Sequence, residues 1–295
     1  MRHAPTTTPV DVSGWSRGRL LAILVAAVLV AALLVAGLGY AIYLGASGIG
    51  ADTAADTSVA TGEDHRSGVA QGAARRDEIA AQPMLNVPEG AAFPSPPTTE
   101  PGRAISIPAG TGVVGPALIR TGFPHTPEGA IAQLAQLDLA VLQAMSPSTA
   151  AEVYNAWALP GGVSVEDWWI AASVRAFLAS TQMGEVKDPA SSVLLEPAAA
   201  LVKGTDGADW VTVCVLMRVT ASYRTEAQIG FGHCERMQWV GGRWMIAPGT
   251  PPAPAPATWP GTALAKQAGW RPWVTDNTTD TTVDPESTHG KGDVR

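Results

Sequence analysis

Between Leu20 and Leu44 the chain has neither a charged residue nor a proline, and no other stretch of this length is so bare of both. A helix needs roughly 20 apolar residues to cross a hydrocarbon core of about 30 Å, so these twenty-five residues read as one transmembrane span. Arg17 and Arg19 abut it and Arg2 lies further back, against only Asp11. The positive-inside rule then makes 1–19 a cytoplasmic tail and places everything after the span outside, in a single-pass cell-membrane protein. A cleaved signal peptide is the competing reading, since Leu44-Gly45-Ala46 is a passable small-residue site, but signal apolar cores run about 7–15 residues.

Other absences narrow the chemistry. There is no Gly-Lys-Ser/Thr phosphate loop, which excludes a motor of that class, and no Gly-x-Ser-x-Gly nucleophile turn. Past the span, 16 basic residues face 25 acidic ones with no basic stripe, so no direct nucleic-acid binding is expected. His65, His125 and His289 stand apart with no second ligand at metal spacing, so neither metal nor cofactor is expected, and His125 reads as a turn residue. Cysteine is limited to Cys214 and Cys234, at a spacing that fits neither a zinc ribbon nor a redox pair. Asn277-Thr278-Thr279 matches a glycosylation acceptor.

What is present divides into segments. Residues 45–103, rich in Ala, Gly, Pro, Thr and Ser with scattered aliphatics, read as a disordered stalk whose distal end is stiffened by Pro94, Pro96, Pro97 and Pro101. An external α+β domain spans 104–249, a Pro/Trp-rich extension 250–273 and a disordered tail 274–295. In the extension, Pro251 to Pro256 leaves the fold, and 259–273 docks as a short helix that hides Trp259, Trp270 and Trp273.

Within the domain, Ile105 and Ile107 alternate as in a short strand. Thr126 followed by Pro127 starts a helix whose apolar face is Ile131, Leu134, Leu137, Val141, Leu142 and Met145. Thr149 with Glu152 forms a capping box opening a second helix with Val153, Tyr154 and Trp157, ended by Pro160-Gly161-Gly162. Ser164 with Asp167 opens a third, carrying Ile170, Val174, Phe177 and Leu178, with Gly184 as its stop.

The period then changes from 3.6 to 2. Val193 to Lys203 is a strand weakened by Pro197, and two clearer strands follow, one with Val211, Val213, Val215, Met217, Val219 and Ala221 on one face. The other carries Ala227, Ile229, Phe231, His233, Glu235, Met237 and Trp239 on one face. Pairing them around Arg224 makes opposed residue numbers sum to 448, which sets Cys214 against Cys234. Opposed antiparallel residues sit about 4.5–5.5 Å apart at Cα, within the reach of a disulfide, and the external compartment permits one. Gly241-Gly242 is a tight hairpin turn that sets Trp239 against Trp244.

Three helices followed by a curved antiparallel sheet resemble the cone-shaped fold of the nuclear transport factor two and ketosteroid isomerase superfamily. More narrowly, Gly122 to Ala130 (GFPHTPEGA), Trp239 to Trp244 (WVGGRW), Trp259 to Gly261 (WPG), and Gly269 with Trp270 resemble membrane-anchored proteins of actinobacterial integrative and conjugative elements. Those are similar to the bitopic assembly components of type IV secretion systems. The resemblance implies a non-enzymatic scaffold whose partners are the lipid bilayer, other envelope or transfer-machinery proteins and further copies of itself. The better-known Gram-positive relatives have two tandem external cones where this chain has one.

One cluster invites a chemical reading. The 448 register leaves His233 and Glu235 among apolar neighbours on the helix-facing side, and Asp138 falls beside the stripe of the first helix. An acid, a histidine and a second acid converging in a cone make a candidate general acid/base site. Placement at a hydrated rim, paired with Arg236 or Arg175, is the competing structural role. A pocket holding all three favours an external ligand-binding or enzymatic cone. A core filled by Trp168, Phe177, Phe231 and Met217 favours the scaffold, or an envelope anchor unrelated to conjugation.

Overall fold

The structure is a computed structural model describing residues 72–223 and 225–276. The proposed span, the cytoplasmic tail, the stalk up to 71 and the tail from 277 lie outside the described residues. No helix among the described residues is long and apolar enough to cross a membrane.

The described part is α+β, built on a curled six-stranded sheet. Its strands are β1 (Ile105–Pro108), β4 (Ser192–Thr205), β5 (Trp210–Tyr223), β6 (Thr225–Val240), β7 (Arg243–Ile246) and β8 (Arg271–Asp276), in the order β1-β8-β4-β5-β6-β7. A separate two-stranded ribbon, β2 (Val113–Val114) with β3 (Arg120–Thr121), sits in the lead-in. β5 and β6 pair with Val211 opposite Met237, Val219 opposite Ile229 and Cys214 opposite Cys234, and the two cysteines are joined. β7 follows Gly241-Gly242 and sets Trp239 against Trp244. Register shifts after Pro197 and Val202 interrupt the β4–β5 ladder, and such bulges bend the strand that carries them.

Three helices cover one face: α2 (Pro127–Ala144), α3 (Pro147–Trp157) and α4 (Trp169–Ser180). Thr126 caps α2 by accepting from Gly129 N–H at 3.1 Å, and Pro127 occupies the first turn, where a missing amide costs nothing. Ile131, Leu134, Leu137 and Val141 of α2 join Ile170 and Val174 of α4 and Val211, Val213, Val215 and Met217 of β5 in one buried core. Two helix starts differ from the sequence reading. α3 begins at Pro147 with Ser146 as its cap, because proline after serine is itself a first-turn pair. Ser164 and Asp167 do bond to each other, but they close a turn, and the regular helix begins only at Trp169 and ends at Ser180, short of Gly184.

The opposite face of the sheet is covered too, by segments read from sequence as lying outside the fold. Residues 72–103 are ordered against the domain and are not stalk. Helix α1 (Ala73–Ala81) inserts Ile79 against Gly204 and Trp210, while Arg76 meets Asp206 at 2.7 Å and Asp77 meets Arg236 at 2.7 Å. Arg76 and Arg236 both stack on Trp210. One deeply buried aliphatic held by ion pairs leaves little periodic signal.

The segment after β7 likewise does not leave the fold. It returns as a strap in which Ala253 N–H donates to Ala80 at 2.9 Å and Trp259 N–H to Ala91 at 2.6 Å. Gly230 makes the crossing possible, since a β-carbon there would collide with the Thr258 carbonyl. Beyond the strap, α5 (Ala263–Gln267) and Trp270 pack on Leu201, Leu216 and the cystine. The chain then enters the sheet as β8, parallel to β1 from Ile105–Trp273 to Pro108–Asp276, so the sheet is mixed and Val274 to Asp276 are strand residues.

Candidate functional site

Alternation along β6 turns Phe231, His233, Glu235 and Met237 toward the helices, and helical spacing puts Asp138 between Leu134 and Val141 on the buried side of α2. The three ionisable groups meet there. His233 Nδ1 lies 3.0 Å from Asp138 Oδ1 and 3.1 Å from Oδ2. His233 Nε2 is 3.7 Å from Glu235 Oε2, beyond hydrogen-bond length. Relative exposures of 0% for Asp138, 2% for His233 and 6% for Glu235 exclude the hydrated rim.

Neither arginine considered from sequence pairs with this cluster through its side chain. The Arg236 guanidinium reaches Asp77 and the Thr250 carbonyl, and only its backbone N–H meets Glu235, at 3.0 Å. Arg175 donates to the Glu166 carbonyl. The partner that sequence reasoning missed is Trp168, whose Nε1–H donates to Glu235 Oε2 at 3.0 Å. A signal was there: a buried indole needs an acceptor, and Trp168 reads as apolar filler only if its N–H is ignored.

Burial sets the electrostatics. Removal from water raises the Asp138 carboxyl above its ordinary range, an effect the neighbouring imidazole opposes. Burial raises Glu235 as well, against the pull of His233, the Arg236 amide and Trp168. For His233, burial works against the proton, yet the Asp138 charge and hydrogen bond, helped by Glu235, hold it above the usual imidazole value. Tyr154 is raised by burial and by the Glu235 charge, and its hydroxyl donates to the Val163 carbonyl at 2.7 Å.

The concave face around the cluster is filled. Trp168, Met217, Val213 and Leu137 are buried there, with Phe177 and Phe231 packed against them at its margin. A cavity of about 100 Å³ remains to one side, between the β6 edge, the start of α4 and the proline strap, with His233, Glu235, Trp168 and Tyr154 among its walls. His233 Nε2 has no hydrogen-bond partner. Among the described residues no group of three histidine, cysteine or carboxylate side chains could hold a metal ion.

Two motif stretches singled out in the sequence meet in space. The His125 ring stacks on Trp239 with centroids 4.5 Å apart, and its Nε2 lies 2.8 Å from Asp209. Trp244 Nε1–H donates to the Pro124 carbonyl at 2.9 Å, and Gly129 leaves room for that same carbonyl. GFPHTPEGA and WVGGRW together form the joint between the α2 N-terminus and the β6–β7 hairpin. Comparison with protein-family models, curated proteins and solved structures finds no match to this chain.

Proposed function

We propose that the chain is a non-enzymatic, membrane-anchored scaffold whose external domain docks partners in a conjugative, type IV secretion-like envelope complex. The observation that carries this reading is the filled concave face: the residues that a catalytic cone leaves facing an open chamber are here packed side chains. Its ionisable cluster is tied internally, Asp138 to His233 and Glu235 to Trp168. The uncharged stretch from Leu20 to Leu44 supplies the anchor, with the N-terminus in the cytoplasm. The Cys214–Cys234 bridge fits a domain on the oxidising side of that membrane. The motif resemblance supplies the setting, and two of those motif stretches pack against each other at one joint.

The test is made in cells carrying the full chain. Deleting it abolishes element transfer to recipients, and cross-linking recovers it with envelope transfer proteins or further copies of itself. Unchanged transfer after deletion overturns the role. Absence of relaxase and coupling-ATPase genes nearby assigns the chain instead to an envelope anchor unrelated to conjugation.

A further inference from the structure

The loop that joins β2 to β3 carries two costs that a single copy of the chain does not recover. Ala117 and Leu118 stand in succession at φ 50° and 57°, in the left-handed region where a β-carbon crowds the following carbonyl and glycine would not. Leu118 is also 86% exposed, and Val113 and Val114 in β2 are exposed with it. The loop is nevertheless pinned. Trp157 Nε1–H donates to the Pro116 carbonyl at 3.1 Å, Gly115 N–H to the Ile119 carbonyl at 2.7 Å, and Gln133 Nε2–H to the Arg120 carbonyl at 3.1 Å. Backbone strain of this kind persists only where the surroundings hold it, and here they hold up a leucine as a fixed apolar knob. Beside the knob lies a hollow. Two residues past Leu118, Arg120 forms part of the wall of an open hollow of about 480 Å³, whose apolar lining comes from Phe123, Leu139, Pro197 and Trp273. Glu196 lines it as well. Among the described residues the Arg120 guanidinium has no acidic partner, while Glu196 meets Arg218 at 2.9 Å on the exposed surface.

We propose that Leu118 docks in the hollow of a second copy of this chain, in a two-fold dimer. This deepens the scaffold reading by naming one surface and its occupant, but it rests on the described domain alone and is tested without reference to transfer, so the two readings can fail separately. The choice of occupant follows from the adjacency of knob and hollow. A two-fold axis between them seats each knob in the other copy's hollow, so that one contact is made twice and the assembly closes. Each leucine then anchors in an apolar pocket with a polar rim, the usual arrangement at the centre of an interface. The same rotation sets the two rims face to face. Arg120 of each copy there meets Glu196 of the partner subunit, and the charges are opposite. A bilayer surface would take up the knob and leave the hollow empty, whereas a second copy accounts for both.

The experiment measures self-association of the full chain in detergent by analytical ultracentrifugation. The native chain is expected to dimerise, and Leu118→Gly, which removes the knob and relieves the backbone together, weakens the dimer about tenfold or more without lowering the thermal midpoint of the dilute chain. Arg120→Glu weakens it too, and adding Glu196→Arg to the same chain restores it. The two cysteines of the native chain are joined to each other, so added ones can be cross-linked selectively. A short bismaleimide is expected to join Leu118→Cys to Leu139→Cys when the two variants are mixed, about tenfold more than within either variant alone. A native chain that stays monomeric, or a Leu118→Gly dimer as tight as the native one, overturns the proposal. So does quenching of a fluorophore on Leu118→Cys by lipid-phase quenchers in nanodiscs, which assigns the knob to the bilayer. Should Leu139→Cys fail to fold, the charge exchange between Arg120 and Glu196 decides the matter, and no restoration there counts against the two-fold contact.

Discussion

Replacing Asp138 by leucine isolates the energetics of the buried cluster. Asp138 is fully buried and its carboxylate is the neighbour 3.0 Å from His233 Nδ1, so the substitution leaves an imidazole in the core with nothing to receive its Nδ1 proton. Breaking a buried ion pair from one side costs about 3–5 kcal/mol. His233 can shed its proton and so reduce the loss, which places the expected cost near the lower end, about 3 kcal/mol. His233→Leu leaves Asp138 alone and costs a similar amount. The double variant removes both desolvated charges together, and replacing a buried pair by apolar side chains is often neutral or stabilising, so it unfolds within about 1 kcal/mol of the native chain. Glu235 keeps Trp168 and the Arg236 amide in all three variants. Urea unfolding of the detergent-solubilised chain at pH 7, followed by tryptophan fluorescence, gives the four stabilities and hence the coupling. Additivity to within about 0.5 kcal/mol refutes the reasoning, since it means the two residues do not share an interaction.

Further outcomes follow from the same contacts. Asp138, Glu235 and His233 are all held above their ordinary values, so the native state binds more protons than the unfolded chain, from about pH 4 upward for the acids and about pH 6.5 upward for the imidazole. Stability contributed by these groups is therefore present in mild acid and lost as pH rises, and the thermal midpoint is higher at pH 5 than at pH 9; the reverse order contradicts the assignment. Changing Cys214 and Cys234 together to alanine opens a loop with a sequence separation of 20 and lowers stability by about 3 kcal/mol in urea. Gly230→Ala drives a methyl into the Thr258 carbonyl and costs about 1–3 kcal/mol, with limited proteolysis cutting first in the displaced strap between 250 and 260. Protection of the strap equal to that of the native chain contradicts the close crossing.

Much of the sheet was legible because alternation and turn chemistry are local. Two opposed apolar faces and a glycine pair fix the β5–β6–β7 register, and with it the Cys214–Cys234 pairing. The same register brought His233 and Glu235 to the helix side, and helical spacing brought Asp138 to meet them. Covering of the second sheet face was harder to read. Trp210 to Met217 is buried without a break, and the apolar run Val213 to Met217 within it is the pattern of a strand covered on both sides, which reading only the odd-numbered face hid. The covering segments gave little help, because Ile79 is a lone aliphatic in a polar helix and Pro251 to Pro256 has no period at all. Pairing of β1 with β8 joins residues more than 160 positions apart, and nothing local to either stretch encodes it.

That last pairing bears on how the domain takes a load. β1 and β8 run parallel, so tension applied from the amino-terminal side of one and the carboxyl-terminal side of the other slides them past each other lengthwise. Their rungs then resist together instead of opening one after another like a zip. A pull that reaches both strands along the chain is therefore borne in shear by their four paired positions.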